Sequence, residues 1–242
     1  RNILISKNSV LDIFNNNNYK THFVTEKPYL LLNRPKMGYD ECNIPYKNIP
    51  YIGTGLGKPL DLMPPIKEYI KNDKDLAKFF FIEFFNPGHI TRREIGSDGI
   101  NEEKRLWEES LKQANQKLKN LINLINVNDP NSIIIIMADH GGYVGMKNTI
   151  EVYNKTEKRD LIFSIFSSSL AIKWPNNQAP KYDVNLKSSV NVFRILFSYL
   201  SENEKYLQHL QSNSSYVIIR NGAPKGVYQY IDEVGHITFK RK

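Results

Sequence analysis

The stretch IIIIMADHGGYVG, residues 133–145, decides the fold class of this 242-residue chain. Four isoleucines followed by Met137 form a short apolar run that predicts a buried β-strand. The run leads into Asp139 and His140, and two glycines follow directly. In open α/β sheets ligand sites lie at the carboxyl edge of the strands, so a polar pair at this position indicates a site.

Helix and strand patterns alternate on both sides of this strand. Residues 101–127 predict a long helix, because apolar residues recur every three or four positions along it. The other patterns predict helices at 7–18, 66–72 and 189–200, strands at 19–26, 78–85, 132–137 and 161–174, and a terminal hairpin at 215–220 and 226–232 around Asn221-Gly222. This alternation predicts an α/β fold with a layered, largely parallel central sheet and helices on both faces.

The segment at residues 27–65 has a different composition from its surroundings. It contains seven prolines and the glycine-flanked hydroxyl of Gly53-Thr54-Gly55. This composition predicts a long irregular loop, and such loops in compact domains are often functional. No internal repeat or linker divides the chain, so we expect residues 1–242 to form a single domain.

The composition excludes several classes of protein. Hydrophobic residues make up 40% of the chain, which is enough to fill a core and argues against wholesale disorder. The net charge is +8, but the basic residues are spread along the chain, so we expect no dedicated nucleic-acid surface. Cys42 is the only cysteine, so neither an internal disulfide nor a cysteine metal cluster can form.

The start of the chain indicates that it is part of a longer protein. It begins at Arg1 on an apolar run, without an initiator methionine or a signal peptide. No apolar run is long enough to span a bilayer. We therefore expect any anchor or export signal to lie upstream in a parent protein.

Asp139 and His140 carry side chains that bind divalent metal ions. Both suit zinc, and the carboxylate also suits manganese or magnesium. Successive strand residues point to opposite faces, so the two can hold one ion only if the chain turns there; otherwise they serve two ions. The glycines that follow allow such a turn, and we expect them to leave room for a substrate. The alternative is a structural turn in which Asp139 caps the backbone and His140 is merely exposed.

Several segments together resemble a known enzyme family. The strand that runs into Asp139-His140-Gly141 after a long helix resembles the metal-binding strand of sulfatases and of phosphoethanolamine and phosphoglycerol transferases, a branch of the alkaline phosphatase superfamily. Four further segments are similar to family segments in the same order: VLDIFNNNNYKTHFV (10–24), KFFFIEFFNPGHI (78–90), IFSIFSSSLAIKWP (162–175) and SSVNVFRILFSYL (188–200). The resemblance covers residues 5–235 and is most specific at Asp139-His140-Gly141.

The resemblance implies a metal-assisted attack on a phosphate or sulfate ester of a cell-envelope lipid or glycan. Asp139 and His140 match the family's paired metal ligands, and His89 matches a histidine that contacts the substrate or a metal. The implied cofactor is a divalent ion, namely zinc, manganese, magnesium or calcium. The resemblance also implies a bacterial, membrane-anchored parent whose domain is extracytoplasmic, on the periplasmic side of the inner membrane.

The chain departs from the family pattern at its start. The family's first acidic ligand and its Thr, Ser or formylglycine nucleophile normally precede the helix at residues 7–15. We therefore expect a domain truncated at its N-terminus, which by itself lacks the nucleophile even if the parent is an enzyme. Thr54 is a tempting substitute, but it comes after the usual place in chain order, and a flexible loop explains it as well.

The other histidines and arginines have simpler interpretations. We expect His22 to be packed or at the surface of its strand, His209 to be solvated, and His236 to lie away from the metal. Arg92-Arg93 has the bidentate donors that bind an anionic ester, although a solvated loop also explains the pair. We expect Arg220 to be structural.

Three functions compete on this evidence. The first is a sulfatase-like hydrolase or transferase, which the Asp-His-Gly strand favours. The second is a catalytically incomplete domain of the same fold that binds a glycan or a protein partner, which the missing nucleophile favours. The third is a basic module for nucleic acid or anionic lipid, whose affinity would fall steeply with salt.

Overall fold

The computed structural model describes residues 2–51, 53–89 and 99–242. The chain forms two compact units, one extending to Asn86 and the other beginning at Pro87. Both units contain helices and strands, so the protein is of the mixed helix and strand type that the sequence predicts. Within the described residues, every helix is too short or too polar to cross a bilayer.

The N-terminal unit is built on a three-stranded parallel sheet. Its elements are α1 (Asn2–Ser6), α2 (Ser9–Asn16), β1 (Lys20–Thr25), β2 (Glu41–Cys42), α3 (Met63–Lys71) and β3 (Lys78–Glu83). The strand order is β2–β1–β3, and β1 runs parallel to both neighbours. The predicted parallel pairing is therefore confirmed in this unit.

Apolar burial and local polar contacts explain why these elements form. Residues 21–25 of β1 are all buried, as expected for a strand covered on both faces. The Asn8 side chain caps α2 by accepting from the Leu11 N–H at 2.9 Å. The core of the unit is formed by Ile5, Leu11, Phe23, Leu31, Tyr39, Ile44 and Ile49.

The segment at residues 27–65 is more ordered than an irregular loop. It supplies the short strand β2 and two 3₁₀ turns, Pro28–Leu31 and Tyr46–Asn48. The Asp40 carboxylate accepts from the backbone N–H of Thr21 at 2.7 Å and from its hydroxyl at 3.0 Å. The Asp40 carboxylate thus attaches this proline-rich segment to β1 through hydrogen bonds.

The described part of the C-terminal unit combines three α-helices with two antiparallel sheets. Its elements are α4 (Ile100–Asn128), β4 (Ile134–Met137), α5 (Arg159–Phe166), β5 (Leu170–Lys173), α6 (Val192–Leu200), β6 (Ser215–Ile219), β7 (Gly226–Ile231) and β8 (Ile237–Arg241). β4 pairs with β5, and the other sheet has the order β6–β7–β8. A core of Ile162, Ile219, Tyr228 and Tyr230 packs α5 against the second sheet.

Three expectations need correction in this unit. The strand predicted at 161–174 is the helix α5 followed by β5, because Ile162 and Ile165 are buried three positions apart and a short apolar run has no decisive period. β4 is not a central buried strand within the described residues: it pairs with β5 alone, and Met137 is 44% exposed. The described strands here are antiparallel, so a largely parallel central sheet is shown only for β1–β3.

The terminal hairpin is confirmed, with different details. β6 and β7 pair antiparallel, as predicted, and residues 220–225, which include Asn221-Gly222, connect them. β8, which was not predicted, pairs antiparallel with β7 and completes the sheet.

Candidate metal centre

The loop that follows β4 carries the predicted metal ligands and is held by the backbone of α5. The N–H of Gly141 donates to the carbonyl of Ile165 at 2.8 Å, and the N–H of Tyr143 donates to that of Ser164 at 3.1 Å. These bonds tie the loop to the C-terminal turn of α5. The chain therefore leaves the β4 direction immediately after His140.

Gly141 and Gly142 are required by close packing. A Cβ at position 141 would lie 2.2 Å from the Ser164 carbonyl oxygen, and one at position 142 would lie 2.7 Å from Cε3 of the Trp107 ring. The expectation that these glycines leave room for a substrate is therefore wrong at those two Cβ positions, which face α5 and α4.

The structure brings His89 and His140 together, 51 residues apart in sequence. Their Nε2 atoms are 3.2 Å apart, and their ring centroids are 4.8 Å apart. His89 follows the Pro87-Gly88 turn, and His140 follows β4. The two nitrogens are close enough either to share a hydrogen bond or to bind a common ion.

The tautomer of His140 suits it to metal binding. Its Nδ1 lies 2.7 Å from the carbonyl oxygen of Gly141, so Nδ1 carries the proton and donates it to that carbonyl. Nε2 then presents its lone pair toward His89. A metal-bound histidine characteristically donates its other ring N–H to such an acceptor, which fixes the ring orientation.

Asp139 adds a carboxylate to the pair. Its Oδ2 lies 3.4 Å from Nε2 of His140, and its side chain is 87% exposed. Burial and the nearby His140 lower the pKa of His89, whereas Asp139 acts in the opposite sense. The donors that converge here are thus two imidazoles and one accessible carboxylate, and the lowered pKa of His89 favours the neutral form of that ring.

These distances can be compared with those of a metal centre. Two ligands bound to a tetrahedral zinc ion at about 2.05 Å are about 3.3 Å apart. The separation of 3.2 Å between the His89 and His140 nitrogens matches that value. Among the described residues, no group of three or more His, Cys, Asp or Glu side chains is arranged so that it could hold a metal ion. The residues present fit two imidazole ligands, with Asp139 next to them.

Two contributors to this site were not predicted. The Tyr143 ring packs on both imidazoles, with centroids 5.1 Å from His89 and 4.9 Å from His140, and its φ is +58°. Glu103 in the first turn of α4 is 2% exposed and accepts from the Gly145 N–H at 2.6 Å. Tyr143 directly follows Asp139-His140-Gly141-Gly142, and this position is a signal for it in the sequence, whereas the pattern of α4 contains no signal for Glu103.

The remaining singled-out residues lie elsewhere or outside the described residues. Thr54 belongs to the N-terminal unit, where its hydroxyl donates to the Tyr51 carbonyl at 2.7 Å. His236 lies in the turn before β8, 3.5 Å from Asp232, and His209 ends an exposed 3₁₀ turn. Arg92-Arg93 falls outside the described residues.

No known family model matches the sequence, and no curated protein matches it significantly.

Proposed function

We propose that this protein is part of a sulfatase-like, metal-dependent hydrolase or transferase that acts on a phosphate or sulfate ester. The observation that carries the proposal is the separation of 3.2 Å between Nε2 of His89 and Nε2 of His140, beside Asp139. The resemblance assigns His89 to the substrate or a metal and His140 to a metal, and the two side chains are in contact.

The donor set favours particular ions. Two imidazoles with one carboxylate suit zinc or manganese, whereas calcium and magnesium prefer oxygen ligands. We therefore propose that His89, His140 and Asp139 hold zinc or manganese, and this makes His89 a ligand as well as a residue at the reacting centre. When bound, the ion would neutralise the anionic oxygens of the ester and lower the pKa of the attacking group.

The protein's own residues have two tasks in this account. The hydrogen bond from Nδ1 of His140 to the Gly141 carbonyl holds the imidazole with Nε2 facing His89. Tyr143 packs against both rings and limits their rotation. Asp139 and His89 are exposed, so a bulky ester can approach them. Exposure supports a substrate such as a lipid head group or a glycan.

The cellular setting follows from the same resemblance. We propose a bacterial parent protein that is membrane-anchored and presents this domain outside the cytoplasm, on the periplasmic side. We also propose that β1–β3 are the parallel sheet of a layered fold of the sulfatase type.

A binding module of the same fold is the second candidate. The observation that favours it is the absence of a complete group of three metal-binding side chains among the described residues. Such a module would bind a glycan or a protein partner without cleaving an ester.

Elemental mass spectrometry of the purified protein tests the proposal. We expect bound zinc or manganese in the wild type and its loss in both Asp139→Ala and His140→Ala. His209→Ala, which removes an exposed histidine of a 3₁₀ turn, is the matched control and should keep the metal. Cleavage of p-nitrophenyl phosphate and p-nitrophenyl sulfate by the longer parent protein, which would supply the nucleophile, then separates the two ester classes. A metal-free parent that cleaves neither ester would favour the binding module.

A further inference from the structure

A cleft lined mostly by polar residues lies in the C-terminal unit. It has a volume of about 410 Å³ and lies between the 3₁₀ turn Thr149–Tyr153 and the segment after β6. Its lining residues are Asn148, Ile150, Glu151, Tyr153, Asn154, Arg220 and Asn221. The volume is within the range of small-molecule sites.

Backbone hydrogen bonds hold the two walls of this cleft together. The N–H of Arg220 donates to the carbonyl of Tyr153 at 2.8 Å, and the N–H of Lys155 donates to that of Asn221 at 2.9 Å. Asn154 and Asn221 also form an isolated parallel bridge. The walls are joined through the main chain, so the lining side chains are not needed to close the cleft.

The guanidinium of Arg220 is held against an aromatic ring and, among the described residues, has no carboxylate partner. It lies 4.1 Å from the centroid of the Tyr153 ring, a stacked position that restricts its rotation. Within residues 2–51, 53–89 and 99–242, no carboxylate or other side-chain acceptor pairs with it. Its forked donors therefore remain available to a ligand. The expectation that Arg220 is structural applies to its main chain but does not explain this side chain.

An amide pair extends the donor surface. The Asn221 side-chain NH₂ donates to Oδ1 of Asn154 at 2.9 Å, which orients both amides. Oδ1 of Asn154 is used in this bond, so the NH₂ group of Asn154 is the part of that side chain left to interact. The cleft thus combines a guanidinium with an oriented amide donor.

We propose that this cleft binds the oxyanion of an organic ligand, namely a phosphate, sulfate or carboxylate group, through Arg220 and Asn154. Arginine presents parallel N–H donors that match such groups bidentately. Ile150, whose side chain is 55% exposed, gives the cleft an apolar edge for the organic part of the ligand. The inference does not depend on the proposed metal centre.

Glu151 lines the same cleft and provides a further test of the proposal. Its Oε2 accepts from the Lys147 N–H at 3.0 Å, so it supports its own turn. Its negative charge opposes an anionic ligand. Glu151→Gln keeps an acceptor for the Lys147 N–H and removes the charge, and we expect it to strengthen oxyanion binding severalfold.

Calorimetric and NMR titrations with inorganic phosphate, sulfate, acetate and phenyl phosphate test the cleft. They are run in EDTA and in the His140→Ala background, so that the candidate metal centre does not contribute. We expect saturable binding, with shifts at Asn154 and Asn221, tighter for phenyl phosphate than for inorganic phosphate. Arg220→Gln should weaken binding at least about tenfold, and Arg220→Lys by a smaller factor.

Arg159→Gln is the matched control, because Arg159 stacks on Phe163 with its guanidinium 4.4 Å from the ring centroid and lies outside the cleft lining. It should leave the affinity unchanged. Equal weakening by Arg220→Gln and Arg159→Gln would show a response to net charge alone and would overturn the proposal. Absence of saturable binding by the folded wild type to all four probes would also overturn it.

Discussion

His22 is a buried polar residue in β1 of the N-terminal unit's sheet. It is 2% exposed and stacks on Tyr69 and Phe80 at centroid distances of 4.8 and 4.5 Å. Neither of its ring nitrogens has a hydrogen-bond partner among the described residues. Burial, together with Lys20 and Lys78, lowers the pKa of His22 from 6.5 to about 4. The side chain is therefore neutral in the folded protein at neutral pH.

The lowered pKa predicts acid sensitivity. Between pH 6.5 and about 4 the unfolded chain binds a proton at His22 that the folded chain does not. The free energy of unfolding therefore keeps the full contribution of His22 above pH 6.5 and loses it as the pH falls. We expect His22 to account for about 2 kcal/mol of lost unfolding free energy between pH 8 and pH 5. Urea unfolding of the wild type and His22→Leu at both pH values measures this. Identical pH slopes in the two proteins would refute the assignment.

Glu103 is a residue whose contribution can be measured directly. Its Oε2 accepts from the Gly145 N–H at 2.6 Å, whereas its buried Oε1 has no hydrogen-bond partner within the part of the chain that the structure describes. Glu103→Ala leaves the Gly145 N–H without that acceptor, and we expect a loss of about 2 kcal/mol. Glu103→Gln keeps an acceptor and should change stability by less than about 1 kcal/mol.

Denaturant unfolding and hydrogen exchange at the Gly145 amide provide the measurement. Glu103→Ala should accelerate that exchange. Glu108→Ala, at an exposed position of the same helix, is the control and should not. Equal exchange rates in Glu103→Ala and the wild type would contradict the role of Glu103 in holding the loop.

At the scale of elements, α4 packs through the Trp107 ring against Gly142, in the loop that follows β4. Gly142→Ala would place a methyl group 2.7 Å from the Trp107 ring, so we expect it to lower stability by about 1–3 kcal/mol. Trp107→Leu removes the obstructing ring atoms. In that background the cost of Gly142→Ala should be clearly smaller, a non-additivity that chemical unfolding of the double-mutant cycle measures. Strict additivity would show that the two residues do not interact.

Element existence was more predictable than element pairing. The helix over residues 101–127 is confirmed as Ile100–Asn128, because its apolar stripe persists over many turns. The run at 161–174 lacked such a signal, and burial of Ile162 and Ile165 made its first half helical. Strand direction and sheet membership depend on contacts between distant segments, which a local pattern does not contain.

The candidate site was predicted in part for the same reason. Asp139 and His140 follow a strand within one short motif, so their position could be predicted locally. The contact of His89 with His140 spans 51 residues, and no local pattern reports it. Glu103 and Trp107 are ordinary residues of an amphipathic helix in the sequence, and only the packed structure identifies the loop that they support.

At the scale of the whole molecule, the net charge of +8 is of the sign expected for a protein that binds nucleic acid. The charge is dispersed along the sequence, so we predict no saturable binding to duplex DNA at physiological salt. Fluorescence anisotropy with a labelled duplex, repeated at several salt concentrations, measures this. Tight binding whose logarithm falls linearly with the logarithm of salt concentration would contradict the prediction and favour the basic-module alternative.

The central claim is that His89 and His140 hold one ion together. Cobalt(II) titration, followed by visible absorption, of the wild type, His89→Ala, His140→Ala and the double variant tests it most directly. Because both imidazoles serve one ion, we predict a single site in the wild type, at least about tenfold weaker binding in each single variant, and markedly less than additive weakening in the double variant. Wild-type affinity in His89→Ala, or fully additive losses across the cycle, would contradict a shared ion.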